Sequence, residues 1–511
     1  MTLVDLVTEA AARWPAKTAW IFDATGERFT FADVEARSSQ IAVALRELGV
    51  EPGDRVAVML RNQPEFPLVW LALAKLGAIL VPVNTGYREF DGAHVLTHSG
   101  ARFAVAADEF LELLTKITPA TQLERVLPVG ELTASLRETT ETFSTEPERP
   151  VNIQYTSGTT GAPKGCVLPN RYWTTLAVGL ATDFPSIADD DIMLTAQPFH
   201  YIDPQWNVAL GLASGATLVV LDRFHPSTFW SKIREYDVTW FYCLGLMPAL
   251  LLRQPESPED KQHKLRAICA SAIPRDLHAE LEARWGVPWF EAFGMTETGG
   301  DIRMSEEDHD ALVGTGCLGR PSRDREVMIA DEVGNPVPRG ETGELLIRGI
   351  GLMHGYHEDP EATAKAFTGG WFHTGDLASM DAEGRVYYVG RTKDMIRRSG
   401  ENVSADEVER ALMLHPDIRL AAVIAVPDDL RGEEIKAYVV LGGTVFDGTG
   451  SSPEELAEFC TRKLAYFKVP RYWAVVESLP MTPSERVAKG ELRKAADPLA
   501  GTYDRTVKSW L

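Results

Sequence analysis

The chain reads as an α/β protein: a large N-terminal domain of layered sheets and helices carrying a small β subdomain, then a small α+β C-terminal domain. Three observations predict this. Residues 1 to about 150 alternate helical and strand patterns in a β-α-β rhythm, which argues for a mainly parallel sheet covered on both faces. From about residue 324 short strands and turns take over, as in Gly343-Glu344-Leu345-Leu346-Ile347-Arg348-Gly349, the mark of a small antiparallel unit. Past Gly390-Arg391-Thr392-Lys393-Asp394 the character changes again, to capped helices and strands within about 120 residues, a usual domain size. The expected domains are therefore 1–391 and 392–511.

Taken in order, Thr30-Phe31-Ala32-Asp33-Val34 opens a helix with Ile41, Ala44, Leu45 and Leu48 on its apolar face, and Gly49 closes it. Val56–Leu60 is a buried strand, Pro64–Leu76 a helix and Ile79–Val83 the next strand. Lys75, Gly77 and Pro82 interrupt the apolar stretch Leu68–Val83, which makes it buried helix and strand rather than a membrane span. Residues 109–150 are more polar and less periodic, a loosely packed approach to the loop that follows.

That loop, Tyr155-Thr156-Ser157-Gly158-Thr159-Thr160-Gly161-Ala162-Pro163-Lys164-Gly165, gathers hydroxyls, glycines and a lysine, and successive backbone N–H groups in such a stretch wrap a phosphate chain. Val151–Tyr155 alternates like the end of a half-buried strand, so the loop leaves a sheet edge where ligands commonly sit. It is not a Walker loop, because Gly165 follows Lys164 and offers Mg no hydroxyl.

Further on, Pro198–Asn207 crowds His200, Tyr201, Asp203 and Trp206 around two prolines, more aromatic area than surface loops hold without a ligand or partner. Asp203 and Trp206 suit a cationic or amine-bearing acid. Strands follow at Ala216–Leu221, Thr239–Cys243 and Leu265–Ala270, with an apolar helix from near Pro248. In Glu291–Gly300, Phe293 can stack on adenine, Thr296 can donate to a phosphate and Glu297 can hold Mg. Asp376, just after Gly375, suits the paired hydroxyls of a ribose. In the tail, Ser404-Ala405-Asp406-Glu407 and Ser452-Pro453-Glu454-Glu455 are capping-box helix starts, and Ala421–Val426 and Lys436–Leu441 are strands.

Composition narrows the partners. At 511 residues, 45% hydrophobic and 24% charged, the chain has the makeup of a soluble enzyme with more than one core. A net charge of -22 with no basic stripe argues against nucleic acid, so anionic ligands rely on local donors such as Lys164. Five cysteines without metal-ligand spacing fit a reduced cytoplasm, and Asp5 and Glu9 argue against a signal peptide. No membrane partner is expected.

Together, Tyr155–Gly165, Phe293–Thr298, Thr374–Asp376 and Gly390–Val403 resemble, in order, the motifs of the adenylate-forming superfamily: acyl-CoA synthetases, adenylation domains and luciferases. Ala216–Trp230, Tyr242–Pro258 and Met395–Glu409 resemble its crotonobetaine/carnitine-CoA ligase-like branch. The resemblance implies that Thr156, Ser157, Gly158, Thr159, Thr160, Gly161 and Lys164 hold the ATP phosphates. It places Ser271, Ala272, Glu291, Ala292, Phe293, Gly294 and Met295 around the nucleotide, Thr296 at the α-phosphate, Glu297 on Mg, and Asp376 and Arg391 on the ribose. His200, Tyr201, Asp203, Trp206, Tyr242, Ser271, Ala272, Ile273 and Gly294 would line or gate an acid pocket. Lys393 would be the hinge on which a mobile C-terminal domain turns.

The implied reaction activates a small carboxylic acid as its acyl-adenylate with release of pyrophosphate, after which CoA or a carrier-protein thiol displaces AMP. A homodimer is a candidate assembly. One departure stands out: Glu485-Arg486 occupies the place of the family's Gly-Lys. Either Arg486 substitutes for that lysine, or Lys489 swings in, or adenylation of ordinary acids is weakened. Two other readings stay open at this stage, a nitrite-activating diazotase acting on an aryl amine and a non-catalytic nucleotide-binding protein.

Overall fold

The structure is a computed structural model that describes residues 1–511 except 157–162, 246, 272, 399–400, 429–430, 443–450 and 483–485, and the side chains of 393, 397, 401 and 402. The chain forms two compact units. The first comprises Met1–Gly158, Ala162–Val327 and Ile347–Phe372; the second is chiefly Met328–Leu346 and His373–Leu511.

In the first unit, helix Leu3–Arg13 starts from a Thr2–Asp5 capping box and buries Leu3, Leu6, Val7 and Ala10. Helix Phe31–Glu47 starts the same way at Thr30 and Asp33, buries Ile41, Ala44 and Leu45, and ends before Gly49, whose φ of 96° only glycine adopts easily. Strands Arg55–Met59, Ile79–Pro82, Phe103–Ala106 and Arg125–Pro128 pair in parallel, as the β-α-β rhythm requires. They belong to a seven-stranded sheet that continues through Pro150–Thr156 and Lys164–Pro169 to Gly355–Tyr356. Helix Glu65–Leu76, with Trp70 fully buried, packs in the core between two of these strands in sequence. No helix among the described residues is long and apolar enough to cross a membrane.

Two expectations are corrected here. Residues 109–134 are not loosely packed: they carry helices Asp108–Ile117 and Val129–Ala134 and a paired strand, with Phe110, Leu114 and Ile117 buried, whereas 135–149 form no helix or strand. Leu123, Leu127 and Leu132 are buried as well. Strand Pro150–Thr156 is neither half-buried nor at an edge, because Lys164–Pro169 returns antiparallel along it and Val151–Gln154 are all buried.

A second sheet of this unit runs in spatial order through Cys317–Pro321, Gly299–Arg303, Trp289–Met295, Ala267–Ser271, Trp240–Leu244, Ile192–Thr195, Thr217–Val220, Thr18–Phe22 and Glu27–Thr30. Its central strands are parallel and its ends antiparallel.

In the second unit, Phe372–Met380 and Val386–Arg391 form an antiparallel hairpin. Beyond it, Ile418–Asp428 pairs antiparallel with Gly432–Leu441, which pairs in parallel with Tyr472–Val475. Helices Ala405–Met413 and Pro453–Lys463 supply Val408, Leu412, Leu456 and Cys460 to the same core. Ser452 and Glu455 make a full capping box, but Ser404 makes only half of one, since Glu407 turns to Lys468 at 2.6 Å.

Candidate active site

The expected phosphate loop is entered by the strand that ends at Thr156 and left by the strand that starts at Lys164. Ser157, Gly158, Thr159, Thr160 and Gly161 lie outside the described residues. Lys164 Nζ stands 4.8 Å from the centre of the Tyr356 ring, and the Tyr356 hydroxyl donates to Glu297 Oε1 at 3.1 Å. Burial and the nearby Glu297 carboxylate both push the Tyr356 phenol well up, so it stays a donor.

Thr296 and Glu297 sit in the turn joining Trp289–Met295 to Gly299–Arg303. A buried ion pair anchors that turn. Arg325 Nε donates to Asp301 Oδ1 at 2.7 Å, its Nη2 donates to the Thr298 carbonyl, and the Thr298 hydroxyl donates to Asp301. Gly294 is required here by close approach, because a Cβ would fall 2.1 Å from the Gly299 carbonyl oxygen.

Beside this turn lies an apolar cavity of about 50 Å³ walled by Leu176, Leu180, Phe184, Trp206, Trp240, Tyr242 and Phe290, with Asp203, Glu291–Gly294 and Arg303 as further lining. Of the expected pocket residues, Asp203, Trp206, Tyr242 and Gly294 line it. Ser271 touches the wall indirectly: it donates to the Ala292 carbonyl at 2.7 Å and so accepts from the Tyr242 hydroxyl at 2.5 Å. Ile273 offers its N–H to Glu291 Oε1 at 3.0 Å, and Ala272 lies outside the described residues. His200 and Tyr201 do not line the cavity; burial takes His200 down to about 3, so it is a neutral imidazole.

Residues 199–207 are not a surface loop. Helix Ile202–Ser214 begins there, Phe199 stacks on Phe66 at 5.2 Å, and a buried amide network secures the segment. Asn152 donates to Gln205 at 2.8 Å, Gln205 donates to the Phe199 carbonyl at 2.9 Å, and Gln154 donates to the His200 carbonyl at 2.7 Å. The strand that ends at Thr156 and the helix lining the cavity are thereby fixed to each other.

In the second unit, Asp376 and Arg391 face each other across the hairpin, Nε to Oδ1 at 3.1 Å. Burial pushes the Asp376 carboxyl up against the pull of Arg391, and its Oδ2 is buried with no partner. Lys489 lies among Glu409, Asp406 and Asp394 at 2.8, 3.2 and 3.6 Å. Burial works against its charge, but the three carboxylates outweigh it and raise it. Arg486, by contrast, is exposed, and its charge acts on Asp376. Glu485 and the Lys393 side chain lie outside the described residues.

His278, Glu282 and His309 bring ligand-type atoms within 4.8 Å of one another. Hydrogen bonds account for them: the Gly314 N–H donates to His278 Nδ1, which leaves the proton on Nε2 for the Trp289 carbonyl at 2.7 Å.

The sequence motifs did not point to Leu176, Leu180, Phe184, Trp240, Phe290 or Arg303. The apolar ones carry no pattern distinct from core, and Arg303 follows the Gly-rich turn with no spacing of its own.

Known proteins resemble the chain in sequence and in fold. The AMP-binding enzyme family model matches residues 7–357, and that of the AMP-binding enzyme C-terminal domain matches 407–486. The crotonobetaine/carnitine–CoA ligase of Proteus mirabilis is 34% identical over 512 residues, covering 95% of this chain and 97% of that one. The o-succinylbenzoate CoA synthetase of Bacillus subtilis, solved with its acyl-adenylate intermediate, superposes with a TM-score of 0.86 at 28% identity over 96% of this chain and 98% of that one. The same enzyme has been solved with ATP and magnesium ion. An anthranilate CoA ligase with anthranoyl-AMP gives a TM-score of 0.87 at 26% identity, covering 97% of each chain. By sequence along its length and by fold, the chain belongs to the AMP-binding enzyme family, within the adenylate-forming acyl-CoA ligase superfamily.

Proposed function

We propose that the protein is an AMP-forming acid–CoA ligase. A carboxylate oxygen of a small acid attacks the α-phosphorus of ATP, pyrophosphate leaves, and the CoA thiol then attacks the acyl carbon and displaces AMP. No enzyme nucleophile is needed, and the five cysteines are all buried. The observation that carries the reading is the cluster of Glu297, Tyr356 and Lys164 beside an apolar cavity lined by Gly294.

In the first unit, the cation Lys164 would meet the phosphates, Thr296 the α-phosphate and Glu297 the magnesium ion. The carboxylate beside a lysine is a donor set that fits both groups. Magnesium supplies charge neutralisation for the departing pyrophosphate. In the second unit, the unpartnered Oδ2 of Asp376 fits a ribose hydroxyl, with Arg391 holding the carboxylate in place. Arg486, exposed, is the cation for adenylation in preference to Lys489, which three carboxylates already hold. Residues 392–511 would reorient about Lys393 for thioester formation. Cysteines free of disulfides support a cytoplasmic setting.

Pyrophosphate release from ATP and Mg, measured over a panel of carboxylic acids with and without CoA, tests the reading. Acid-dependent release with an acyl-CoA product supports it. Release without a thioester product moves the acceptor to a carrier-protein thiol, and release with nitrite instead of an acid overturns it.

A further inference from the structure

The cavity wall carries one cation, which the proposed reaction does not use. Arg303 lines the cavity together with Phe184, Trp206, Trp240 and Phe290. Its Nε is buried with no partner, and its Nη1 reaches only the carbonyls of Gly179 and Phe184, at 3.4 and 3.5 Å. Among the described residues it makes no ion pair, whereas the neighbouring Arg325 is committed to Asp301. A guanidinium half-withdrawn from water without an ion-paired carboxylate is costly to keep, and burial draws Arg303 below its ordinary range against the longer-range pull of Asp183 and Asp301. The fold nevertheless makes room for it: a Cβ at Gly179 would stand 3.2 Å from Arg303 Nη2.

Its position along the strand is informative. Arg303 pairs with Ala292, and Gly294 pairs with Gly300. At ~3.3 Å per residue, Arg303 lies about two residues, or ~7 Å, down the ladder from Gly294. That is close to the span of a benzene ring with substituents at both ends. Asp203 and Glu291 are the other charged residues at the wall, and both bear on Tyr242.

We propose that Arg303 is a specificity residue that receives a second anionic group, carried by an aromatic acid at the end opposite its reacting carboxylate. The aromatic walls take the ring and the guanidinium takes the distal anion, an aryl dicarboxylate being the simplest such substrate. This rests on the acid–CoA ligase reading, since it assigns the far end of the same cavity.

The test compares pyrophosphate release with terephthalate, benzoate and hexanoate in the wild type, Arg303→Met and Arg303→Lys, with ATP binding checked in each. Terephthalate is expected to exceed benzoate at least tenfold in kcat/KM in the wild type. Arg303→Met should remove that preference, mainly through KM for terephthalate, and Arg303→Lys should restore part of it. Benzoate equal to or better than terephthalate in the wild type, or an unchanged ratio in Arg303→Met, overturns the assignment while leaving the ligase reading intact. If Arg303→Met does not fold, the wild-type ratio and Arg303→Lys decide. Silence with every acid, in a protein that binds ATP, overturns the ligase reading and this one with it.

Discussion

Tyr356 donates its hydroxyl to Glu297 at 3.1 Å while its ring faces Lys164 at 4.8 Å, so one side chain orients both that carboxylate and that cation. Hydrogen bonds to charged groups contribute about 1.5–3 kcal/mol. Tyr356→Phe should therefore lower pyrophosphate release by roughly 10- to 100-fold and raise the Mg concentration needed for half the maximal rate. Glu297→Gln should cost more, on the order of 100-fold or beyond. A Mg titration of both variants checks this; an unchanged Mg dependence in Tyr356→Phe contradicts the positioning role.

The turn that carries Thr296 and Glu297 depends on Asp301 and Arg325, which are 0% and 3% exposed. Removing one partner of such a pair leaves a buried charge uncompensated and costs about 3–5 kcal/mol. Arg325→Met should lower the Tm markedly by calorimetry, while Arg323→Met, whose side chain is 62% exposed, should change it little.

Arg486 and Lys489 should separate cleanly. Lys489→Met leaves Glu409, Asp406 and Asp394 facing one another and should lower Tm. Arg486→Ala should leave Tm unchanged and depress pyrophosphate release. The opposite pattern would make Lys489 the adenylation cation.

The pH dependence of stability has a local source. Burial opposes the charge on His309, but Glu282 and Asp310 outweigh it and raise its proton affinity above the ordinary 6.5. A histidine raised in the fold contributes stability that is fully present below its unfolded value and lost as pH rises through the folded one. Glu282, which burial pushes up but hydrogen bonds from His278 and His309 bring down to about 2, contributes stability that is present above its ordinary 4.5 and lost as pH falls from there through about 2. Tm should thus fall as pH rises above about 6.5, and His309→Gln should flatten that slope.

Much of the fold was legible because the first unit follows local rules: Thr30 with Asp33 caps a helix, and Val56–Met59 runs apolar because it is buried on both faces. Candidate site residues were legible where chemistry is concentrated in one segment, as at Glu291–Gly300, which lines the cavity in part, and Thr374–Asp376, whose carboxylate pairs with Arg391. It was not legible where partners meet only in three dimensions. Asn152 and Gln205 are 53 residues apart, and nothing local to either announces their bond. Lys489 looks like a free cation in sequence because Asp394, Asp406 and Glu409 reach it from other elements. Arg303 reads as an ordinary strand arginine until the cavity around it is known.

Acid activation requires that a carboxylate oxygen bond to the α-phosphorus of ATP. Incubating the enzyme with ATP, Mg, CoA and an acid it accepts, labelled with oxygen-18 in its carboxylate, followed by mass spectrometry of the AMP, tests this most directly. One labelled oxygen is expected in AMP and one in the thioester carbonyl, because the thiol breaks the acyl carbon–oxygen bond. Unlabelled AMP formed together with acyl-CoA would contradict it.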